Sequence, residues 1–309
     1  MTAGSLPEPR SPAPHDPVRP RALVLPAVSE PPIDERRPWL ERYEYVDALS
    51  VPGLETPVFL SETGLAVTTT GLGKSDAATT VATLLSAPGL DLTSAYVVSA
   101  GVAGSSPETA ALGSVFVADA VLDWDRKHRW DRGRDDDGPP IGRLAYEPED
   151  TVFHLNSELV ATAVTATDEI DLHEDEAART YQRRYPDATA ERPAVGVGTT
   201  VSGDEFWHGA RYARQVEWLC DAYGVAPYVT TQMEEAATAT ALERFGSLDR
   251  YLSVRAVANY DRPAPGQSVE ESFEGVPESL ELAIENAACV GGAVVDHLVE
   301  TDPLEIQRR

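Results

Sequence analysis

Apolar, β-branched runs alternate with stretches of helical periodicity along most of this chain. The first run, ALVLPAVSE from Ala22, reads as a buried strand that breaks at once into a loop rich in proline and acid. LAVTTT (65–70) is a second such run, and it passes into GLGKSDAATTVATLL, a glycine turn opening a helix of small residues. AYVVS (95–99) followed by AGVAGSSPE repeats the design, a predicted strand and then a glycine-rich turn. GSVFVADAVL (113–122) alternates like a strand and enters DWDRKHRWDRGRDDDGPP, which is too long for a mere connector. That loop is either a surface excursion or a flap over a pocket, to which Trp124, His128, Arg129 or Trp130 contribute. Residues 151–185 read as mostly helical, with Asn156 or Ser157 as caps, and further helices are predicted over 209–223, 234–245 and 278–299. This alternation predicts a three-layer α/β domain.

Three short signals follow or end apolar runs: VSGDEFW (201–207), TQMEEA (231–236) and VRAVANYDRP (254–263). Each is expected where a strand opens into a loop or helix, the edge at which open α/β sheets bind ligands. Upstream, Gly71 and Gly73 allow backbone N–H groups to point at an anion or a hydroxyl-rich ligand at a helix N-terminus. The turn lacks the length and closing Ser/Thr of a nucleotide P-loop and is no dinucleotide fingerprint, so ATPase and dehydrogenase readings lose support. Glu30 and Glu35 both lie in the loop after the first strand; each is either a solvated carboxylate or an acid reaching the pocket.

Composition changes the picture in three ways. The 309 residues, 42% of them apolar, suffice for one large α/β domain, expected over 22–309, behind a proline-rich segment, 1–21, expected to be a disordered tail. A net charge of −26 argues against nucleic acid or an anionic membrane as partner. Lys74 and Lys127 are the only lysines, and this acid excess with arginine in place of lysine resembles proteins of extreme halophiles. The N-terminus has no apolar signal-peptide core and no stretch approaches an uninterrupted bilayer-spanning length, so a cytoplasmic protein without membrane insertion is expected. Cys220 and Cys289 have no metal-like or redox-like spacing, and no metal or cofactor is expected.

In order, GLGKSDAA, SAG, VSGDEF, QMEEA and VRAVAN resemble the nucleoside phosphorylase superfamily, especially methylthioadenosine/S-adenosylhomocysteine nucleosidase. Within it, AGVAGSSPETAALGSVFVADAV, FHLNSELV, YQRRYPDATAERPAVGVGTTVSGDEFWHG and RAVANYDRP are similar to the purine nucleoside permeases. The resemblance spans nearly everything from Ala22 onward. It implies a phosphorylase-like three-layer α/β/α fold around a mixed, largely parallel sheet, a purine nucleoside as partner, and a homo-oligomer. The word permease fits a chain without spanning elements as a label for uptake driven by trapping or cleaving the nucleoside.

The resemblance also implies roles. Phe206 stacks on the purine and the backbone of Trp207 reads its edge; Met233 packs against the ribose; Glu234 accepts from the 2′- and 3′-hydroxyls, with Arg255 orienting it, bound near the ribose, or held in a structural ion pair. The turn Ser99, Ala100, Gly101 borders the substrate. Glu235 is expected to be solvated. Asn259 stands where the nucleosidase has a proton-donating aspartate, and its amide suits N7 and O6 of a 6-oxopurine. Asp261 is the alternative acid. The nucleophile is water, activated by Glu30, or phosphate as co-substrate; the strand before SAG lacks the hexameric phosphorylases' arginine, which favours water, although Arg126, Arg129 and Arg132 are within reach in the long loop.

Overall fold

The computed structural model describes residues 6–131, 138–144, 146, 151–188 and 192–307. The chain opens with β1 (Ala22–Leu25), a small hairpin of β2 (Ser29–Glu30) and β3 (Ile33–Asp34), and α1 (Arg37–Arg42). Next come β4 (Tyr45–Leu49), β5 (Val58–Ser61), β6 (Leu65–Val67), α2 (Gly73–Ser86), β7 (Tyr96–Ser105) and β8 (Val115–Asp123). A second hairpin, β9 (Lys127–Arg129) and β10 (Ile141–Arg143), precedes β11 (Val152–His154), α3 (Ser157–Thr165) and α4 (Glu176–Gln182). The last part alternates: β12 (Val195–Ser202), α5 (Ala210–Tyr223), β13 (Tyr228–Gln232), α6 (Glu235–Arg244), β14 (Tyr251–Tyr260), α7 (Val269–Glu274) and α8 (Pro277–Thr301).

Ten strands make one mixed sheet in the order β11-β8-β12-β13-β7-β1-β6-β5-β4, with β14 pairing to both β7 and β8. Five pairings are parallel and five antiparallel among the described residues, but the long ones, β14 with β7 and β12 with β8, are parallel, so the sheet is mixed and largely parallel as expected. The parallel pairs sit centrally, and antiparallel pairs form both margins. Because β7 also touches β13, the strands β7, β14, β8, β12 and β13 close into a ring. Nine of the ten residues of β14 are buried, which requires cover on both faces. α8 packs on β14 and β7, while α6 also meets β14 and packs against α2.

The segment expected as a turn after residue 99 instead continues β7 as far as Ser105. Its alanines and glycines keep it narrow where three other strands crowd it. The proline-rich segment is not free either. From Leu6 on it lies against the body: Arg10 bonds Asp47 and exchanges backbone bonds with Ala48 and Ser50, and Val18 bridges to Leu90. α8 is the core of the one described helical stretch long and apolar enough to cross a membrane, and two thirds of that apolar window is buried inside the protein. Asn156 caps α3 by accepting from the Glu158 N–H, as the sequence predicts.

Candidate active site

The ends of β7, β12, β13 and β14 converge on a cavity of about 260 Å³. Gly104, Gln232 and Asn259 line it from three of these strands, and the irregular turn after β12 contributes Glu205, Phe206 and Trp207. Met233, Glu234, Arg255 and Asp261 also line it, so the residues expected at base and ribose are brought together.

Beneath the cavity lies a buried charge cluster. Arg255 on β14 is 3% exposed and serves three carboxylates. Its Nε donates to Glu235 Oε1 at 2.5 Å and its Nη2 to Glu234 Oε2 at 3.1 Å, while Nη1 lies 3.9 Å from Glu35 Oε1 and donates to the Val102 carbonyl at 3.1 Å. Burial alone would lower the pKa of this guanidinium, but the surrounding glutamates outweigh it and hold Arg255 firmly charged. Three acids facing one cation cannot all ionise without cost. Burial accordingly pushes Glu235 up to about 7, against the pull of Arg255, and Glu235 Oε2 has no hydrogen-bond partner among the described residues. Glu35 is likewise raised by burial, with Arg255 opposing.

Glu35 is held by three backbone N–H groups: Ala27 at 2.7 Å and Val28 at 3.2 Å on Oε2, and Val102 at 2.7 Å on Oε1. The space it occupies exists because position 101 is glycine; a Cβ there would meet Glu35 Oε1 at 2.3 Å. Glu30, expected to activate water, is exposed in the β2–β3 hairpin and does not line the cavity, which makes Glu35 the acid that reaches it. Ser99, Ala100 and Gly101 lie one step too deep in β7 to line the cavity; Val102, Ala103 and Gly104 do so. Ser99 instead accepts from the Tyr251 hydroxyl at 3.0 Å. Glu235, expected to be solvated, is 0% exposed, since α6 turns it under the sheet toward Arg255.

The glycine turn does present a backbone N–H to an anion, and the anion belongs to the protein. Gly73 N–H donates to Glu234 Oε1 at 2.9 Å, and Lys74 N–H to Asp204 Oδ1 at 2.7 Å. Both bonds anchor the start of α2 to the strand-end loops. Arg126 pairs with Asp123 and Arg129 with Glu205, and neither arginine lines the cavity; Arg132 lies outside the described residues.

On the base side, Phe206 is 59% exposed and meets Phe273 of α7 edge to face at 5.1 Å. Phe273 was not singled out from the sequence, although Ser268 and Glu271 form a readable capping box that starts its helix. Asn259 Nδ2 donates to the Tyr260 carbonyl at 3.3 Å, leaving its second N–H and its oxygen for a ligand. Asp261 accepts from Arg262 Nε at 2.7 Å and from the Tyr228 hydroxyl, and burial raises its carboxyl. His208, also lining the cavity, shares a 2.9 Å hydrogen bond through Nε2 with Ser272, and burial lowers its pKa. Among the described residues no group of acids, histidines and cysteines could hold a metal.

A family model described as purine nucleoside permease matches residues 19–302. A probable purine nucleoside permease of Schizosaccharomyces pombe is 28% identical, covering 75% of this chain and 74% of its own, and a purine nucleoside permease of Candida albicans is 25% identical over 91% and 75%. Among solved structures, futalosine hydrolase of Helicobacter pylori superposes with a TM-score of 0.60 at 18% identity, covering 90% of this chain and 97% of its own. The methylthioadenosine/S-adenosylhomocysteine nucleosidase of Neisseria meningitidis gives 0.57 at 22%, with 90% and 98% covered. The two structural likenesses establish a shared fold.

Proposed function

Since the chain belongs to the purine nucleoside permease family, we propose that its cavity binds a purine nucleoside and cleaves the N-glycosidic bond with water. The observation that carries this reading is the Glu35–Arg255–Glu234 cluster lying between the strand ends and opening on the same cavity as Phe206 and Asn259. Cleavage makes the sugar oxocarbenium-like while the base leaves with the bonding electron pair. In this reading Glu234 accepts from the ribose hydroxyls, contacts that strengthen as positive charge grows. Met233 packs on the sugar, Phe206 stacks on the base, and the Asn259 amide donates toward N7 and accepts or donates at the neighbouring edge. Glu35 takes a proton from water as its oxygen bonds to the anomeric carbon, and the departing base regains a proton from solvent, with Asp261 the second acid beside it.

Water is favoured over phosphate by charge. Arg255 is the one guanidinium that lines the described cavity, and three glutamates already engage it. A phosphate dianion would meet no free cation there. The Asn259 amide supports 6-oxopurine nucleosides over adenosine. The second reading is a nucleoside-binding protein that supports uptake without catalysis; an asparagine rather than an acid at 259 and the relatives' names favour it.

The purified protein, incubated in concentrated salt with inosine, guanosine or adenosine with and without phosphate, separates these readings. Free base released from inosine or guanosine without phosphate is the expected result. Release that depends on phosphate would replace hydrolysis by phosphorolysis, and saturable binding without release would establish the binding role.

A further inference from the structure

The charged loop after β8 that the sequence leaves as an excursion or a flap is neither of these over residues 124–129. It is a buttress, and its target is one side chain of the turn after β12. Glu205 Oε2 accepts from the indole Nε1 of the fully buried Trp124 at 2.7 Å. Arg129 Nη2 donates to both Glu205 oxygens, at 2.9 and 2.8 Å. Lys127 Nζ stands 3.6 Å from the same carboxylate and 3.4 Å over the centre of the Trp124 ring, with its side chain 5% exposed.

The neighbouring residues of the turn are fixed in the same way. Asp204 donates its N–H to Asp125 Oδ2 at 2.8 Å, and Gly203 has Trp124 so close that a Cβ would stand 3.0 Å from its ring. Trp207 leans on Trp124 with ring centres 6.3 Å apart. The turn itself has no regular structure from Gly203 to Gly209. Irregular backbone carries an entropy cost when it must be ordered at binding, and a loop fixed beforehand spares the ligand that cost.

We propose that Trp124, Lys127 and Arg129 act through Glu205 as positioning residues for the base, holding Gly203–His208 so that Phe206 and Trp207 are set before a ligand arrives. This rests on the reading that Phe206 and Trp207 meet the purine. Lys127 serves both partners with one compact charge: its ammonium stands over the indole face of Trp124 and 3.6 Å from the Glu205 carboxylate.

Two measurements test the buttress on Glu205→Ala and Lys127→Met, with Trp124→Phe as a third variant that keeps an aromatic ring and removes the indole N–H. Amide hydrogen exchange reports the turn directly, and calorimetric titration with hypoxanthine and guanine reports base binding. Faster exchange confined to 203–208, together with base affinity weakened by about tenfold in Glu205→Ala and less in Glu205→Gln, which keeps an acceptor for Trp124, is the expected result. Unchanged exchange in folded variants, or faster exchange with unchanged affinity, would overturn the proposal. If the wild-type protein binds neither base, the nucleoside reading fails and the exchange rates alone decide the buttress. Where nucleosides are turned over, a positioning role raises KM more than it lowers kcat.

Discussion

Glu234 is fixed at both oxygens by Gly73 and Arg255, so in the proposed reading it would meet a ribose already oriented. Glu234→Gln removes the charge that faces the sugar and turns one oxygen into a donor opposite the Gly73 N–H; turnover is expected to fall by about two to four orders of magnitude with the fold retained, as measured by single-turnover kinetics beside circular dichroism. Glu35 has to be ionised to accept a proton, and burial raises its pKa. kcat/KM is therefore expected to fall on acidification along a limb that lies above the ordinary carboxylate range, and Glu35→Gln should abolish that limb along with most of the rate; a pH profile without such a limb would exclude Glu35 as the base. Glu234, Arg255, Phe206 and Asn259 were legible because each adjoins a motif that ends a strand. Glu35 was not separable from Glu30, because which acid turns inward depends on the β2–β3 hairpin. The readable clue was elsewhere, in Gly101: a glycine inside a β-branched run marks a close approach, here by that carboxylate.

At the scale of elements, α6 and β14 share the cost of the buried cluster. Glu235 on α6 has a folded-state pKa of about 7 against an ordinary value of 4.5. A raised carboxyl binds its proton more tightly when folded, so its contribution is fully present below the ordinary value and is lost as pH rises through about 7. Thermal melts in constant salt are expected to show stability falling between pH 5 and 8. In Glu235→Gln, which mimics the protonated acid and still accepts from Arg255, that slope should flatten by up to about 3 kcal/mol; an unaltered slope would mean that Glu235 stays ionised throughout. The sequence predicts the helices over 209–223, 234–245 and 278–299 to within two residues at each end, since their apolar faces and flanking breakers are local signals. The direction of the individual marginal strands was illegible. Short marginal strands such as β4, β5 and β11 owe their direction to long-range pairing, which no local pattern encodes.

For the whole molecule, a net charge of −26 sets up self-repulsion that salt relieves. The melting temperature is expected to rise between dilute buffer and molar KCl, and an unchanged value would remove the halophilic reading of the composition. The N-terminal segment shows the limit of composition as a guide. Its prolines suggest disorder, yet prolines also stiffen an extended strap, and Arg10 gives that strap an ionic anchor on Asp47.

One strand, β14, carries Arg255 and Asn259, which the proposed reading sets at the sugar and at the base, and it pairs with β7 along its length and with β8 over Val254–Ala256. In that reading it is a ruler, with the mark for the ribose and the mark for the purine four residues apart on one strand and a break in register between them. A change at the Asn259 mark can retune which base is accepted while the sugar end keeps its calibration, so substrate range and bond-breaking chemistry are free to evolve separately.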